Sequence, residues 1–516
     1  MDGKSGSRGA RRPGKAVAVL DIGSSSLRMG IYQRGKEEVR RLELLDSPLR
    51  LGHEVFASGR ISAETVRELC TALKGCSQVM KEYGVGEYRV LATTALREAE
   101  NRAYVVDQIK IRNGLTVEVL ENGEESAFIY SAMLRSPRLK NHSLLSYIGT
   151  GSVGAAVWED GVLTKACHLR LGFLKLSEML SSLEDQTARF DRVLGQYVDA
   201  YFQRLSLRLS GGKFRRLLLT GREAETIASL CGVAKESGGY VLERERVEEL
   251  FHRARTLSAE AAAQEFGLPQ EAAGQLLPLL AIYLKMMEVA GTQRIEAPVL
   301  DMLDIVAAQM LVAEEKAFFD QTRSDGALAC SRRLGSDNQT DGDHGERVRA
   351  FAVQIFDKTK KLHGIPGKRR LLLECAALLH ELGYRFNAQN ASQTTYDLVR
   401  QAYLFGLNEE ETRLVAEIAR CGDFHQALAS PGFLSGKQRL LTDKLAAILI
   451  LADALDESRR GKITELKVRL EDSRLVVTAR GREDLLLEKW AFGECVPYFE
   501  EVFGIRPVFV AKSNLI

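Results

Sequence analysis

Residues 16–20 form an unbroken apolar run with β-branched members, the pattern of a buried strand. The run ends in a turn of small residues, Asp21-Ile22-Gly23-Ser24-Ser25-Ser26, and a second strand follows over 27–32. Two strands joined in this way predict a hairpin whose tip turns several backbone N–H groups outward. Apolar positions then recur at helical spacing over 62–83 and 101–112, with strands at 88–92 and 115–120. Another helix starts near Glu124, with an acidic first turn and Ala127, Ile129, Tyr130 and Met133 on its apolar face.

The opening pattern returns further on. Residues 143–148 are an apolar strand, Gly149-Thr150-Gly151-Ser152 is a small-residue turn, and 153–158 is the outgoing strand. The same hairpin about one small domain later is the mark of an internal duplication. A strand at 215–220 ends in Gly221, a helix follows from Glu223, and the segment to Val312 reads as largely helical. Past a polar stretch at 324–343 only helical spacing remains, at 346–362, 369–382, 392–404, 409–420 and 438–455. The chain closes with a hairpin of strands 465–470 and 475–479 around Glu471-Asp472-Ser473, a helix at 482–503 and a strand at 507–511. This predicts a flexible tail (1–15), two similar α/β lobes (16–134 and 135–312), a helical domain (320–458) and a small α/β unit (460–516).

Composition adds limits rather than identity. With 516 residues, 45% hydrophobic and 27% charged, the chain suits several folded domains and not wholesale disorder. A net charge of +2 means that any polyanionic ligand must be met by local positive charge. No stretch reaches the ~20 uninterrupted apolar residues that span a bilayer, and no apolar run long enough for a signal segment follows the basic residues of 1–15. The expectation is a cytoplasmic protein with neither membrane nor nucleic-acid partner. The eight cysteines lack CxxC spacing and read as reduced, buried thiols.

Two Gly/Ser turns facing one another offer fixed N–H dipoles and hydroxyls, which suit phosphate oxygens. In this light Asp21-Ile-Gly-Ser-Ser-Ser-Leu-Arg-Met resembles the first phosphate loop of the exopolyphosphatase/guanosine pentaphosphate phosphohydrolase (Ppx/GppA) family, where DxGSNS is usual. Thr93-Thr94-Ala95-Leu96-Arg97-Glu98-Ala99 is similar to its T-x-x-L-R-x-A segment, Gly123-Glu124-Glu125-Ser126-Ala127 to its G-x-E-E-A segment, and Tyr147-Ile-Gly-Thr-Gly-Ser to its D-I-G-G-G-S loop. The resemblance implies two actin-like (ribonuclease H-like) lobes, followed by an all-α HD-like domain and a small C-terminal α/β unit. It also implies release of orthophosphate from the end of inorganic polyphosphate, or of the 5′ γ-phosphate from guanosine pentaphosphate, with Mg²⁺, in a homodimer.

Carried over by residue, the resemblance makes Glu125 the carboxylate that activates water, with Glu124 its neighbour and competitor. Arg97 is to pair with the terminal phosphate. Gly23, Ser24 and Ser25 are to line the first phosphate loop, and Gly149, Thr150, Gly151 and Ser152 the second. Asp21 and Glu125 are to hold the metal. The second loop departs from the family, with Tyr147 for its Asp and Gly154 for a Glu; a phenol with an ordinary pKa of about 10 replaces neither acid. An active hydrolase with a thinner metal site is therefore one reading, and a polyphosphate- or (p)ppGpp-binding regulator the other. A sugar-kinase or chaperone-like ATPase is a third, but Gly221-Arg222-Glu223-Ala224, at the place of an adenosine-binding segment, lacks a Gly-Gly pair.

In the helical half, His344, His380-Glu381 and Asp453 follow the order of an HD site with Glu in place of the paired Asp; Gln393 stands for a further His and His425 is displaced. These changes imply a degenerate site whose His and Asp serve as buried hydrogen-bonding groups. Lys358, Lys360, Lys361, His363, Lys368, Arg369 and Arg370 are the candidate segment for guiding a polyanion.

Overall fold

The computed structural model describes residues 16–513 except Glu37, Asp185, Ala188, 210–212, 422–434 and Asp472. These belong to two compact units, Met1–Gly161 with Cys167–Thr322, and Val162–Ala166 with Arg323–Ile516.

In the first unit, β1 (Ala16–Ile22) and β2 (Ser26–Arg34) form the expected hairpin, closed by Ile22 opposite Leu27. β3 (Val39–Pro48) extends it, and β4 (Glu87–Ala92) and β5 (Val117–Val119) add in parallel on the other side, in the order β3-β2-β1-β4-β5. β1 is apolar throughout because both its faces are covered. Ala18, Leu20 and Ile22 meet the helices Ala63–Glu82 and Arg102–Asn113, while Val17 and Val19 meet Leu303, Val306 and Ala307. β3 escaped the sequence reading. It is an edge strand of alternating charge, and such strands carry little apolar signal.

The duplicate follows. β6 (Ser143–Ile148) and β7 (Val153–Glu159) form the second hairpin, with β8 (Val162–Leu169) next in the chain. β9 (Arg216–Thr220) pairs parallel with β6, and β11 (Arg294–Ala297) parallel with β9. The order β2-β1-β4-β5 of the first sheet thus recurs as β7-β6-β9-β11, with β10 (Tyr240–Glu243) antiparallel on β11. Two four-residue strands inside a stretch read as helical are too short to show a period of two.

Helix Gln270–Ala290 is long and apolar enough, by length and composition, to cross a bilayer. Here Leu276, Leu279, Leu280, Ile282, Tyr283, Met286 and Met287 are buried in the second-lobe core. Helix Met302–Leu311, assigned by sequence to the second lobe, packs instead on the first-lobe sheet. Arg28 of β2 donates to both oxygens of Asp301 at 3.1 and 2.5 Å, and the Tyr32 hydroxyl to Asp304 at 2.7 Å.

Most of the polar stretch at 324–343 lies in helix Ala313–Asp337, with Ala327, Cys330 and Ser331 buried. The second unit holds helices Gly342–Lys358, Arg370–Leu379, Ala391–Gln401, Glu409–Arg420 and Gly436–Ala454. β12 (Ile463–Glu471) and β13 (Arg474–Gly481) form its hairpin; β14 (Arg506–Ser513) pairs parallel with β13, and helix Leu486–Phe503 connects them. All eight cysteines are buried and unbridged.

Candidate active site

The two hairpin turns are built alike. Gly23 N–H donates to Ser26 O at 3.0 Å, and Gly149 N–H to Ser152 O at 2.8 Å. Each turn is also anchored to the start of a helix: Gly52 N–H donates to Ser24 O at 2.7 Å, and Lys175 N–H to Thr150 O at 3.1 Å. The helices are Leu51–Ser58 and Phe173–Glu184, and both are entered through Arg-Leu-Gly, at 50–52 and 170–172. This second repeat, missed in reading the sequence, explains its glycines by close approach. A Cβ on Gly52 would lie 2.7 Å from Ser24 Cβ; one on Gly172 would run into the backbone of Gly149, Thr150 and Ser152. Only glycine lets these helices reach the turns.

The lobes meet tightly around the turns. A Cβ on Gly151 would collide with Thr94 and approach Phe56 to 2.8 Å. Lys175 pairs with Glu98 at 2.6 Å, and His53 lies between Glu178 and Glu271 at 2.5 and 2.8 Å. Arg222 donates to Ser26 Oγ at 2.9 Å and pairs with Asp46 at 2.5 Å.

Helix Asn122–Met133 separates the two candidate carboxylates. Glu124 turns back to accept from Glu121 N–H at 3.1 Å, a capping contact that satisfies a helix-end donor. Glu125 points inward and pairs with Arg97 at 2.9 Å, both side chains buried. Arg97 also donates to Leu120 O at 2.7 Å and Thr94 Oγ1 at 3.0 Å. The arginine expected on phosphate is therefore committed here to holding Glu125.

Asp21 ends β1 in the same space. Its Oδ1 and the hydroxyl of Ser24 are buried without a hydrogen-bond partner among the described residues. Burial, then the charge of Glu125, pushes the Asp21 carboxyl up to about 7. An orphaned carboxylate oxygen beside a second carboxylate is a donor set that a hard cation satisfies.

Tyr147 faces the cleft. Its hydroxyl would lie 3.1 Å from a Cβ on Gly149, and burial with the charges of Glu125, Asp21 and Glu223 holds the phenol well above its usual pKa. It stays neutral and can donate but not act as a base. Gly154, the other departure, is explained by packing: a Cβ there would lie 2.7 Å from the Tyr130 hydroxyl. Gly154→Ala should cost about 1–3 kcal/mol, and Tyr130→Phe, which removes the crowding oxygen, should recover most of it. Equal loss in single and double variants, by thermal or urea unfolding, would refute this.

Two groups escaped the sequence reading. Glu223, three residues past Thr220 of β9, whose partner on β6 is Tyr147, acts electrostatically on that tyrosine; burial pushes its carboxyl up to about 7. It is an acid contributed by the second lobe. Burial and the charges of Arg97, Arg170 and Lys175 push His168 down to about 3. The imidazole is neutral, and two of these three cations, Arg97 and Lys175, are themselves paired with Glu125 and Glu98. A single chain of letters has no signal for either, since both depend on which strands become neighbours.

In the Lys358–Arg370 segment Lys358, Lys361 and Lys368 are exposed, while others are engaged. Lys360 and Arg370 pair with Asp357 at 2.9 and 3.1 Å, Arg370 with Glu374 at 3.1 Å, and His363 is buried with Nε2 donating to Phe356 O at 2.9 Å. In the second unit His344, His380 and Asp453 converge, while His425 lies outside the described residues.

Two duplicated lobes of this topology, each presenting a Gly/Ser turn to a shared cleft, define an actin-like core. The sequence matches the Ppx/GppA phosphatase family over residues 31–297 and that family's domain III over 329–488. The chain belongs to the Ppx/GppA phosphatase family, a class of hydrolases. Among solved structures it is similar to a family member from Aquifex aeolicus, with 21% identity and a TM-score of 0.50 over 58% of this chain and 98% of that one. It is similar also to an exopolyphosphatase from Cytophaga hutchinsonii, at 18% identity and a TM-score of 0.51, covering 58% and 98%.

Proposed function

We propose that this protein is a Mg²⁺-dependent phosphohydrolase that removes terminal orthophosphate from inorganic polyphosphate, with guanosine pentaphosphate as the second candidate substrate. The observation that carries the reading is the orphaned Asp21 carboxylate oxygen beside Glu125, between two matched phosphate-type turns. Family membership supports the reaction class.

In this mechanism Gly23 and Gly149 close the two turns with their own N–H groups, and the N–H groups of Ser24 and Ser25, and of Thr150, Gly151 and Ser152, hold the oxygens of the last phosphates. Asp21 and Glu125 would hold Mg²⁺, which supplies neutralising charge to those oxygens. Glu125, aimed by Arg97, takes a proton from water. The water oxygen bonds to the terminal phosphorus as the bridging P–O bond breaks, and its electron pair leaves with the shortened chain. Glu223 adds negative potential from the second lobe, and neutral Tyr147 donates a hydrogen bond. The second unit, in this reading, is an HD-type helical domain, and the protein acts as a cytoplasmic homodimer.

The competing reading, a phosphate-chain-binding regulator, is favoured by one observation: a phenol stands in the cleft where the family has an acid. Initial rates on polyphosphate and guanosine pentaphosphate at equal end concentration test the substrate, with the faster release expected from polyphosphate. Binding of either without release selects the regulator.

Glu223→Gln separates function from stability. A carboxyl whose folded pKa is raised to about 7 costs stability as pH climbs from its ordinary value near 4.5, and the cost is complete above 7. Gln removes that cost. The variant should melt higher at pH 8 than the parent, match it near pH 4, and turn over about tenfold slower. A lower melting temperature at pH 8 would show that the charge is stabilising.

A further inference from the structure

Helix Leu51–Ser58 turns one side toward the second lobe. A Cβ on Gly52 would lie 2.9 Å from Leu174 Cδ2, and Phe56 packs against the cores of both lobes. His53 is the polar member of this set. Its Nδ1 lies 2.5 Å from Glu178 Oε1 and its Nε2 2.8 Å from Glu271 Oε1. With a proton on each nitrogen the ring donates to both carboxylates, and with one proton to either. Both partners belong to the second lobe, Glu178 to helix Phe173–Glu184 and Glu271 to the first turn of helix Gln270–Ala290. The His53 and Glu178 side chains are 15% and 24% exposed, so their link is partly withdrawn from water.

The two helices joined at this point are those that back the two turns. Gly52, the residue before His53, is fixed to the first turn through Ser24 O, and Lys175, one helical turn before Glu178, to the second through Thr150 O. A short path therefore runs from turn to turn, through Ser24, Gly52, His53, Glu178, Lys175 and Thr150. Lys175 and Glu178, three residues apart, share a helix face. Both reach into the first lobe, Lys175 to Glu98 at 2.6 Å, and Glu98 follows Arg97, the partner of Glu125. Apolar packing at Gly52 and Phe56 is non-directional and resists separation more than sliding. A ring held from two sides by carboxylates adds direction, and so fixes one helix along the other.

We propose that His53 is a positioning residue, which sets the spacing of the two turns and through it the alignment of a terminal phosphate gripped by both. It touches no substrate. The proposal rests on the reading that the two turns hold one phosphate chain. Losing the link shifts one turn against the other while each keeps its own N–H groups. Turnover therefore falls more than affinity, and a misplacement of about 1 Å is enough to cost about 100-fold.

Kinetics and an interlobe distance test it together. Spin labels at Lys74→Cys in helix Ala63–Glu82 and Glu249→Cys in helix Arg244–Ala254, both exposed, read that distance by double electron–electron resonance; the native cysteines are all buried. His53→Ala should lower kcat for orthophosphate release about 10–100-fold, move KM little, and shift or broaden the label distance. His53→Gln, whose amide donates to one carboxylate, should fall between the parent and His53→Ala. Glu178→Ala should act in the same direction, and adding it to His53→Ala should cost little more, since both break the same link. Melting curves check folding, and Glu178→Ala decides if His53→Ala does not fold. If the parent releases no orthophosphate, the hydrolase reading fails, and the label distance decides the role of His53 without it. An unchanged label distance in folded His53→Ala, or a kinetic loss carried by KM alone, would overturn the proposal.

Discussion

Glu125→Gln is expected to slow orthophosphate release by about 10²–10⁴-fold, the usual share of a general base, while leaving affinity for polyphosphate within a few-fold. The loss is large because no neighbour can substitute. Glu124 is bound back to the start of its helix, Tyr147 is held neutral, and Asp21 is, in this mechanism, taken up in holding Mg²⁺. Gln is the informative replacement because it still accepts from Arg97. Alanine would leave a buried guanidinium without its partner, which costs about 3–5 kcal/mol and confuses unfolding with lost chemistry. Rates from continuous phosphate detection, beside polyphosphate binding by calorimetry, separate the two effects. A variant within threefold of the parent would remove Glu125 from the mechanism.

Gly172→Ala is expected to cost nearly as much activity, about 100-fold or more, though the residue touches no substrate. Its added methyl would run into backbone atoms of Gly149, Thr150 and Ser152, which cannot turn away as a side chain can. Either the second turn shifts off its phosphate geometry or the helix Phe173–Glu184 backs out of the cleft, and overpacking of this kind costs about 1–3 kcal/mol as well. Gly52→Ala is the internal comparison. There the nearest atoms are Ser24 Cβ at 2.7 Å, which moves only with the first turn's backbone, and Leu174 Cδ2 at 2.9 Å, which can yield; the overlap is smaller than that with the backbone at Gly172, so the loss should be smaller. Kinetics and melting of the two variants side by side test the ranking, and equal losses would contradict it.

That ranking also shows where the sequence was legible. Both hairpins were visible because a strand buried on two faces is apolar throughout, and because Gly/Ser turns interrupt it at the same point twice. The helix carrying Glu125 announced itself by its acidic first turn. β3, β10 and β11 were not visible, being either charged edge or four residues long. The second Arg-Leu-Gly repeat was on the page as letters, but its meaning lies in a backbone approach that no periodicity encodes. Glu223 and His168 join the cleft only because β9 lies beside β6 and because β8 runs back into it. The choice between Glu124 and Glu125 needed the direction of a side chain at one end of a helix. Tyr147 was flagged as a departure, and only its surroundings show that it points into the site.

The central claim is that the cleft turns over phosphate chains despite lacking two familiar acids, and wild-type orthophosphate release from long-chain polyphosphate addresses it directly. The account predicts steady release that requires Mg²⁺ and is abolished in Asp21→Asn, with product shortened only from the chain end. Polyphosphate bound at the cleft, with no orthophosphate released at any Mg²⁺ concentration, would contradict it.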